Sequence, residues 1–139
     1  MIEFRDFTFS YGSGAEPALR GINLRIASGE FVLVSGPSGG GKSSLCRCIN
    51  GLIPHFYGGK VSGKVVVDGM DVLNHSPREL ATRVGMTFQD PENQLVTLSV
   101  DQEIAFGMEN LGWPVDLIRK RLEESLDTIG IAHLRSREM

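Results

Sequence analysis

The stretch Gly36-Pro37-Ser38-Gly39-Gly40-Gly41-Lys42-Ser43 follows an apolar run, Phe31-Val32-Leu33-Val34, and limits the folds open to this chain more than any other segment. It satisfies G-x-x-x-x-G-K-[ST] at every fixed position, the pattern of a phosphate-binding loop set between a strand and a helix. Glycines reach backbone conformations closed to other residues, so successive N–H groups can turn inward on an anion. Lys42 offers a flexible positive charge for the outer phosphates, and the Ser43 hydroxyl suits Mg²⁺. A helix beginning near Lys42 places its positive end beneath the same phosphates. A glycine run alone is most often a turn. With a buried-strand pattern before it and a helical pattern after it, the motif points instead to a nucleoside triphosphate site.

The bulk properties agree with a soluble globular chain. Its 139 residues suffice for one domain with a real core, and 41% hydrophobic with 22% charged content is ordinary. Fourteen basic against seventeen acidic residues give a net charge of -3. That balance argues against a nucleic-acid partner, which calls for a basic surface. No apolar stretch is long enough to cross a bilayer, and the N-terminus lacks a signal-peptide pattern. Cys46 and Cys48 stand two apart in the helix expected after the loop, which points them in different directions. Both read as small buried residues of a reduced protein, with neither a disulfide nor a metal pair between them.

Taken in order, residues 1–11 alternate as a strand. Ile2 and Phe4 share one phase, Phe7, Phe9 and Tyr11 the other, so the switch near Arg5-Asp6 predicts a bulge. A turn over residues 12–17 leads to a second alternating segment, with Ile22, Leu24 and Ile26 on one face. Phe31 to Val34 reads as a strand buried on both faces. After the loop the helix runs to Gly51 and Pro54, and His55 to Gly59 forms a loop with two exposed aromatics. Val61 to Val72 predicts short strands joined at Asp68-Gly69, with Asp68 a turn residue and not a metal ligand.

Ser76-Pro77-Arg78-Glu79 opens a short helix, serine at the cap and proline at the first position. Val84 to Phe88 reads as another buried strand ending at Gln89, ahead of the polar loop Asp90 to Gln94. In an open α/β sheet, a polar residue at a strand end faces the ligand crevice, which makes Gln89 a candidate for metal or water contact. Ser99 with Gln102 suggests a capping box for a helix reaching about Leu111. Pro114 begins another helix, with Val115, Ile118, Leu122, Leu126 and Ile129 as its apolar stripe and Gly130 as its terminator.

Several of these residues together resemble one family. A strand ending Phe9-Ser10-Tyr11, the phosphate loop, and a strand ending Thr87-Phe88-Gln89 are similar to ATP-binding-cassette ATPases. More narrowly, Phe88-Gln89-Asp90-Pro91-Glu92-Asn93-Gln94 and Glu103 to Asn110 look like the ATPase subunits of energy-coupling-factor transporters, which import vitamins and metal ions such as cobalt and nickel. The resemblance implies an α/β fold with a P-loop NTPase core and an antiparallel β subdomain over residues 1–89. The start of a helical subdomain would follow over 90–139, with the domain incomplete at the C-terminus. It implies ATP and Mg²⁺ as cofactors. Tyr11 would stack on adenine, and Gly36, Pro37, Ser38, Gly39, Gly40, Gly41, Lys42, Ser43 and Ser44 would wrap the phosphates. Lys42 would reach the β and γ groups, Ser43 would bind Mg²⁺, and Gln89 would touch the metal and the attacking water.

The implied partners are a second ATPase subunit, like or unlike, and a transmembrane transporter subunit, with the protein peripheral on the inner face of the cell membrane. The family's signature loop, aspartate strand, catalytic glutamate and switch histidine have no counterpart here, and His55, His75 and His133 all precede the position of the last. The expectation is the N-terminal part of a longer ATPase, catalytically incomplete alone. Two other classes fit the loop by itself: a nucleoside-monophosphate kinase, since Gly36-Pro37-Ser38-Gly39 also opens the loop of guanylate-kinase-like enzymes, and a non-catalytic nucleotide-binding module.

Overall fold

The alternation at the N-terminus produces a strand, β1 (Ile2–Ser10), paired antiparallel with β2 (Leu19–Ile26) on one side and β3 (Lys60–Val67) on the other. A two-residue strand, β4 (Met70–Asp71), completes a four-stranded sheet in the order β2-β1-β3-β4. The computed structural model describes residues 1–12, 16–90 and 94–138, which form two compact units, Met1–Met86 and Thr87–Met139. The middle of the turn expected over 12–17, and Pro91-Glu92-Asn93 of the polar loop, lie outside the described residues.

The bulge expected near Arg5-Asp6 is present. The β1–β2 register shifts between Phe4 and Phe7, and Asp6 takes a left-handed φ of 43°. The extra residue brings Phe4 and Phe7, which strict alternation would send to opposite faces, onto the same buried face with rings edge to face at 5.6 Å. Asn23 of β2 fastens the bulge from the side. Its Oδ1 accepts the Asp6 N–H at 2.9 Å, and its Nδ2 donates to Asp6 Oδ1 at 2.8 Å. On the other side Gly63 of β3 lies so close that a Cβ there would stand 2.3 Å from the Asp6 carbonyl oxygen, and its φ is +79°.

The core is built on this sheet face from Phe4, Phe7, Phe9, Leu19, Val65 and Val67. Across from it lie Cys48 of α1 (Lys42–Ile49), Ile53 of the short α2 (Leu52–His55) and Leu80 of α3 (Pro77–Leu80). Gly51, at φ 77°, separates α1 from α2, as its place after the apolar periodicity predicts. Asp68 (φ 46°) and Gly69 (φ 84°) form the tight β3–β4 turn, which confirms Asp68 as a turn residue. The N-terminal ammonium bonds the Asp68 carboxylate at 2.5 Å and holds it below the usual carboxylate range. At Ser76 the capping box is complete: the Ser76 hydroxyl accepts the Glu79 N–H, and Glu79 accepts the Ser76 N–H at 2.8 Å.

In the second unit α4 (Val100–Asn110) and α5 (Val115–Thr128) are joined by a loop through Gly112 and followed by a 3-10 turn at Ala132–Leu134. Ile118, Leu122 and Leu126 of the α5 stripe are buried, whereas Val115 and Ile129 at its ends are exposed. Gly130 terminates α5 at φ 70°, with the Ile131 N–H returning to the Leu126 carbonyl at 2.9 Å. The start of α4 departs from the expected Ser99–Gln102 box. Ser99 donates to Asp101 Oδ1 at 2.5 Å, and Asp101 accepts the Gln102 N–H at 2.9 Å. Glu103 reaches back to the N–H groups of Val96 and Thr97. Carboxylates out-compete an amide as acceptors at the positive end of a helix.

Two expectations fail in the fold. Phe31 to Val34 and Val84 to Phe88 are neither strands nor buried among the described residues; Phe31 is 97% and Leu33 82% exposed. An apolar run becomes a strand only by sharing its N–H and C=O groups with a neighbour, and neither run joins the sheet of β1 to β4. The pattern reports how apolar a segment is and says nothing about whether a partner lies beside it.

Replacing Gly63 by Ala tests the bulge. Positive φ alone costs about 1–2 kcal/mol for a residue with a Cβ, and the overlap with Asp6 adds to it. Gly58→Ala shares the positive φ, at 61°, with open space around it. Denaturant titration of both variants is expected to show the larger loss for Gly63→Ala; equal losses would mean that β3 does not press on the bulge.

Candidate functional site

The phosphate loop is assembled by what holds its last glycine. Gly41 caps α1 in the left-handed region at φ 84°, where no side chain contributes a capping hydrogen bond. A Cβ at Gly41 would lie 2.6 Å from the Ala18 carbonyl oxygen and 3.1 Å from Leu19 Cδ2. Glycine is therefore required there twice, by conformation and by space. Ala18 is itself fixed by its N–H donating to the Phe9 carbonyl at 2.8 Å. The start of α1 is thus seated on the β1–β2 hairpin.

The first helical hydrogen bond is made by the Leu45 N–H to the Gly41 carbonyl at 2.8 Å. The N–H groups of Lys42, Ser43 and Ser44 donate to no protein acceptor among the described residues. Three free donors at the positive end of a helix are an anion-binding arrangement. Ahead of them, the Gly40 N–H closes a turn onto the Pro37 carbonyl at 3.2 Å, which curls Ser38 and Gly39 outward. The Lys42 ammonium folds over the loop and donates to the carbonyls of Gly36 at 2.9 Å and Pro37 at 2.7 Å. Its charge therefore stands at the mouth of the loop. Gly36 to Gly40 and Ser43 are exposed, and the Ser43 hydroxyl makes no hydrogen bond among the described residues.

Tyr11 and Ser44, thirty-three positions apart in sequence, meet here. Their hydroxyl oxygens are 2.9 Å apart, and Ser44 is the buried polar side chain of the region. The Tyr11 ring is half-buried, edge to face against the fully buried Phe9 at 4.6 Å. Gln89 belongs to the second unit and is exposed; Gln94 donates across it to the carbonyls of Phe88 at 3.2 Å and Asp90 at 3.4 Å.

Around α1 one expectation needs correction. Cys48 is fully buried, but Cys46 is exposed, because residues two apart on a helix cannot both face the core. Burial, with Cys46 beside it, pushes the Cys48 thiol up to about 12. Neither thiol is bonded. Sequence reasoning missed the Ala18 carbonyl as the wall behind Gly41 and missed the Tyr11–Ser44 contact. Both depend on hairpin register, which local patterns do not report.

Loop, helix and sheet together define a P-loop nucleotide-binding fold. The family model described as ABC transporter matches residues 19–139, and the chain belongs to that family. It is 47% identical over 137 residues to a Streptomyces coelicolor protein provisionally named as an ABC transporter ATP-binding protein. That match covers 99% of this chain and 24% of the relative. A similarly named Pyrococcus horikoshii protein is 46% identical over 129 residues, covering 93% of this chain and 45% of the relative. Among solved structures, CbiO1 of Clostridium perfringens, described as part of the ABC transporter complex CbiONQ, superposes with a TM-score of 0.81 at 34% identity. The superposition covers 99% of this chain and 53% of that one. A second ATP-binding cassette, solved as a dimer in a post-hydrolysis state with ADP and Pi, gives a TM-score of 0.76 at 27% identity. It is covered over 61% of its length, against 99% of this chain. The fold expected from the sequence, an α/β P-loop ATPase with an antiparallel sheet and helices, is the fold these structures share. The chain spans 24% to 61% of the lengths of these four proteins.

The two cysteines give a direct check on how α1 is seated. With a maleimide at pH 8, Cys46 is expected to react quickly and Cys48 only after denaturant is added, since the thiolate is the reactive form. Two rapidly reacting thiols in the folded chain would show that α1 does not pack on the sheet as described.

Proposed function

We propose that this chain is the ATP-binding part of an ABC transporter ATPase subunit, which powers import by binding and hydrolysing ATP. The observation that carries the proposal is the set of three free N–H groups at the start of α1 beneath the Lys42 ammonium. Among the described residues nothing uses these donors, and a polyphosphate suits them in charge and shape. The phosphates displace the Gly36 and Pro37 carbonyls from Lys42, exchanging neutral acceptors for charged ones, which bind an ammonium about twice as strongly.

Mg²⁺ fits the same place by its donor chemistry. It takes one or two protein oxygens and completes its shell with phosphate and water, and the uncommitted, exposed Ser43 hydroxyl supplies one such oxygen. An Mg²⁺ held by Ser43 would supply charge neutralisation at the outer phosphates. Tyr11 at the end of β1 offers a ring to adenine. Gln89 contributes to the metal and the attacking water, and the helices that follow dock on a transmembrane subunit. A second ATPase subunit faces this one across the nucleotides, which is supported by the dimeric, ADP-bound cassette of like fold. The likeness to CbiO1, part of an ABC transporter complex, supports a transporter partner. The sequence resemblance to energy-coupling-factor ATPases is what suggests a vitamin or a transition-metal ion as cargo and a place on the inner face of the membrane. Among the described residues no helix is long and apolar enough to cross a membrane.

Replacing Lys42 with Ala tests the site. Loss of a charge-assisted contact to phosphate is expected to weaken ATP by about tenfold to a hundredfold in calorimetry. Unchanged affinity would remove the phosphate loop from the binding site.

A further inference from the structure

We propose that Tyr11 is a positioning residue for the phosphate loop: its hydroxyl orients the Ser44 hydroxyl for donation to a bound polyphosphate. The inference deepens the nucleotide-binding function proposed above and rests on it. Its basis is the 2.9 Å contact between the two hydroxyls, at the place where the N–H groups of Lys42, Ser43 and Ser44 are free.

Ser44 is 8% exposed, and the Tyr11 hydroxyl is the partner its side chain has among the described residues. A pair of hydroxyls shares one hydrogen bond, and either oxygen can be the donor. Beside an anion the two directions are not equivalent. If Ser44 donates to Tyr11, it turns lone pairs toward the phosphates. If Tyr11 donates to Ser44, the serine proton is released toward the phosphates, and the chain of two donors is polarised in the favourable sense. A phenol is the more acidic hydroxyl, which favours the second direction.

Tyr11 is well placed to impose this order. It follows β1 directly, and its ring rests edge-on against Phe9, which is fully buried. Phe9 in turn accepts the Ala18 N–H, and the Ala18 carbonyl backs Gly41. The hydroxyl is therefore referenced to the same strand pair that seats the loop. Tyr11 then contributes to phosphate binding through its oxygen, separately from any stacking by its ring.

The test is a double-mutant cycle on the 139-residue chain, with Tyr11→Phe, Ser44→Ala and the pair, titrated calorimetrically with ATP and with inorganic triphosphate in the presence of Mg²⁺. Tyr11→Phe keeps the ring and removes the oxygen. It is expected to weaken both ligands by the same factor, about fivefold for one hydrogen bond, and to have no further effect when Ser44 is already Ala. An inert Tyr11→Phe, or the same loss in both backgrounds, overturns the inference; a fold defect would persist in the Ser44→Ala background and so falls in the second case. A Lys42→Ala control reads the underlying function. If that variant loses affinity while Tyr11→Phe does not, only the Tyr11 assignment fails. If the unmodified chain binds neither ligand, both fail.

Discussion

Gly41 pressed against the Ala18 carbonyl is the constraint from which the rest of the site follows. The left-handed turn at Gly41 starts α1, and the absence of a Cβ lets that start sit on the β1–β2 hairpin. Because glycine lets the helix start approach the strand this closely, the three N–H groups of its first turn lie close to the β1–β2 hairpin. The loop before it has no sheet of its own to lean on, since Phe31 to Val34 pairs with nothing among the described residues. Its shape comes from the Gly40–Pro37 turn and from the Lys42 bonds to Gly36 and Pro37.

Seen this way, the antiparallel sheet has a role beyond stability. Its bulge at Asp6 keeps Phe4, Phe7 and Phe9 on one face, where they form the floor on which Cys48 of α1 packs. Without the phase switch, Phe7 and Phe9 would turn outward and Tyr11 would leave the loop. The position of Tyr11 is in this sense set by a backbone irregularity in the middle of the strand that precedes it. The sheet and the phosphate loop fall in the unit Met1–Met86, and the helices α4 and α5 in the unit Thr87–Met139.

What the sequence revealed divides along the range of the interactions involved. The bulge, the Asp68-Gly69 turn, the Ser76 cap with Pro77 after it and the Gly130 terminator rest on neighbours within a few positions, and all were legible. The capping-box pairing itself was expected at Ser99–Gln102 and forms instead between Ser76 and Glu79. So was the glycine pattern of the loop, because its geometry demands particular residue types. The runs at Phe31 and Val84 read as buried strands in the sequence and are neither paired nor buried among the described residues, since burial depends on partners that an apolar pattern cannot reveal. Cys46 went wrong for a related reason: a small residue in a helix reads as buried until the face is known. The Tyr11–Ser44 contact joins a strand end to a helix start, and only the β1–β2 register and the seat of Gly41 bring them together.

In the function proposed for this chain, the backbone of the loop, held by Gly41, grasps a nucleoside triphosphate. Amide resonances of the isotopically labelled chain, followed while Mg²⁺ and ATP are added, test it most directly. Saturable shifts concentrated on the N–H groups of residues 39–44 are expected, with Lys42, Ser43 and Ser44 moving most. Shifts scattered over the surface, or a saturable response centred elsewhere with these amides unmoved, would contradict it.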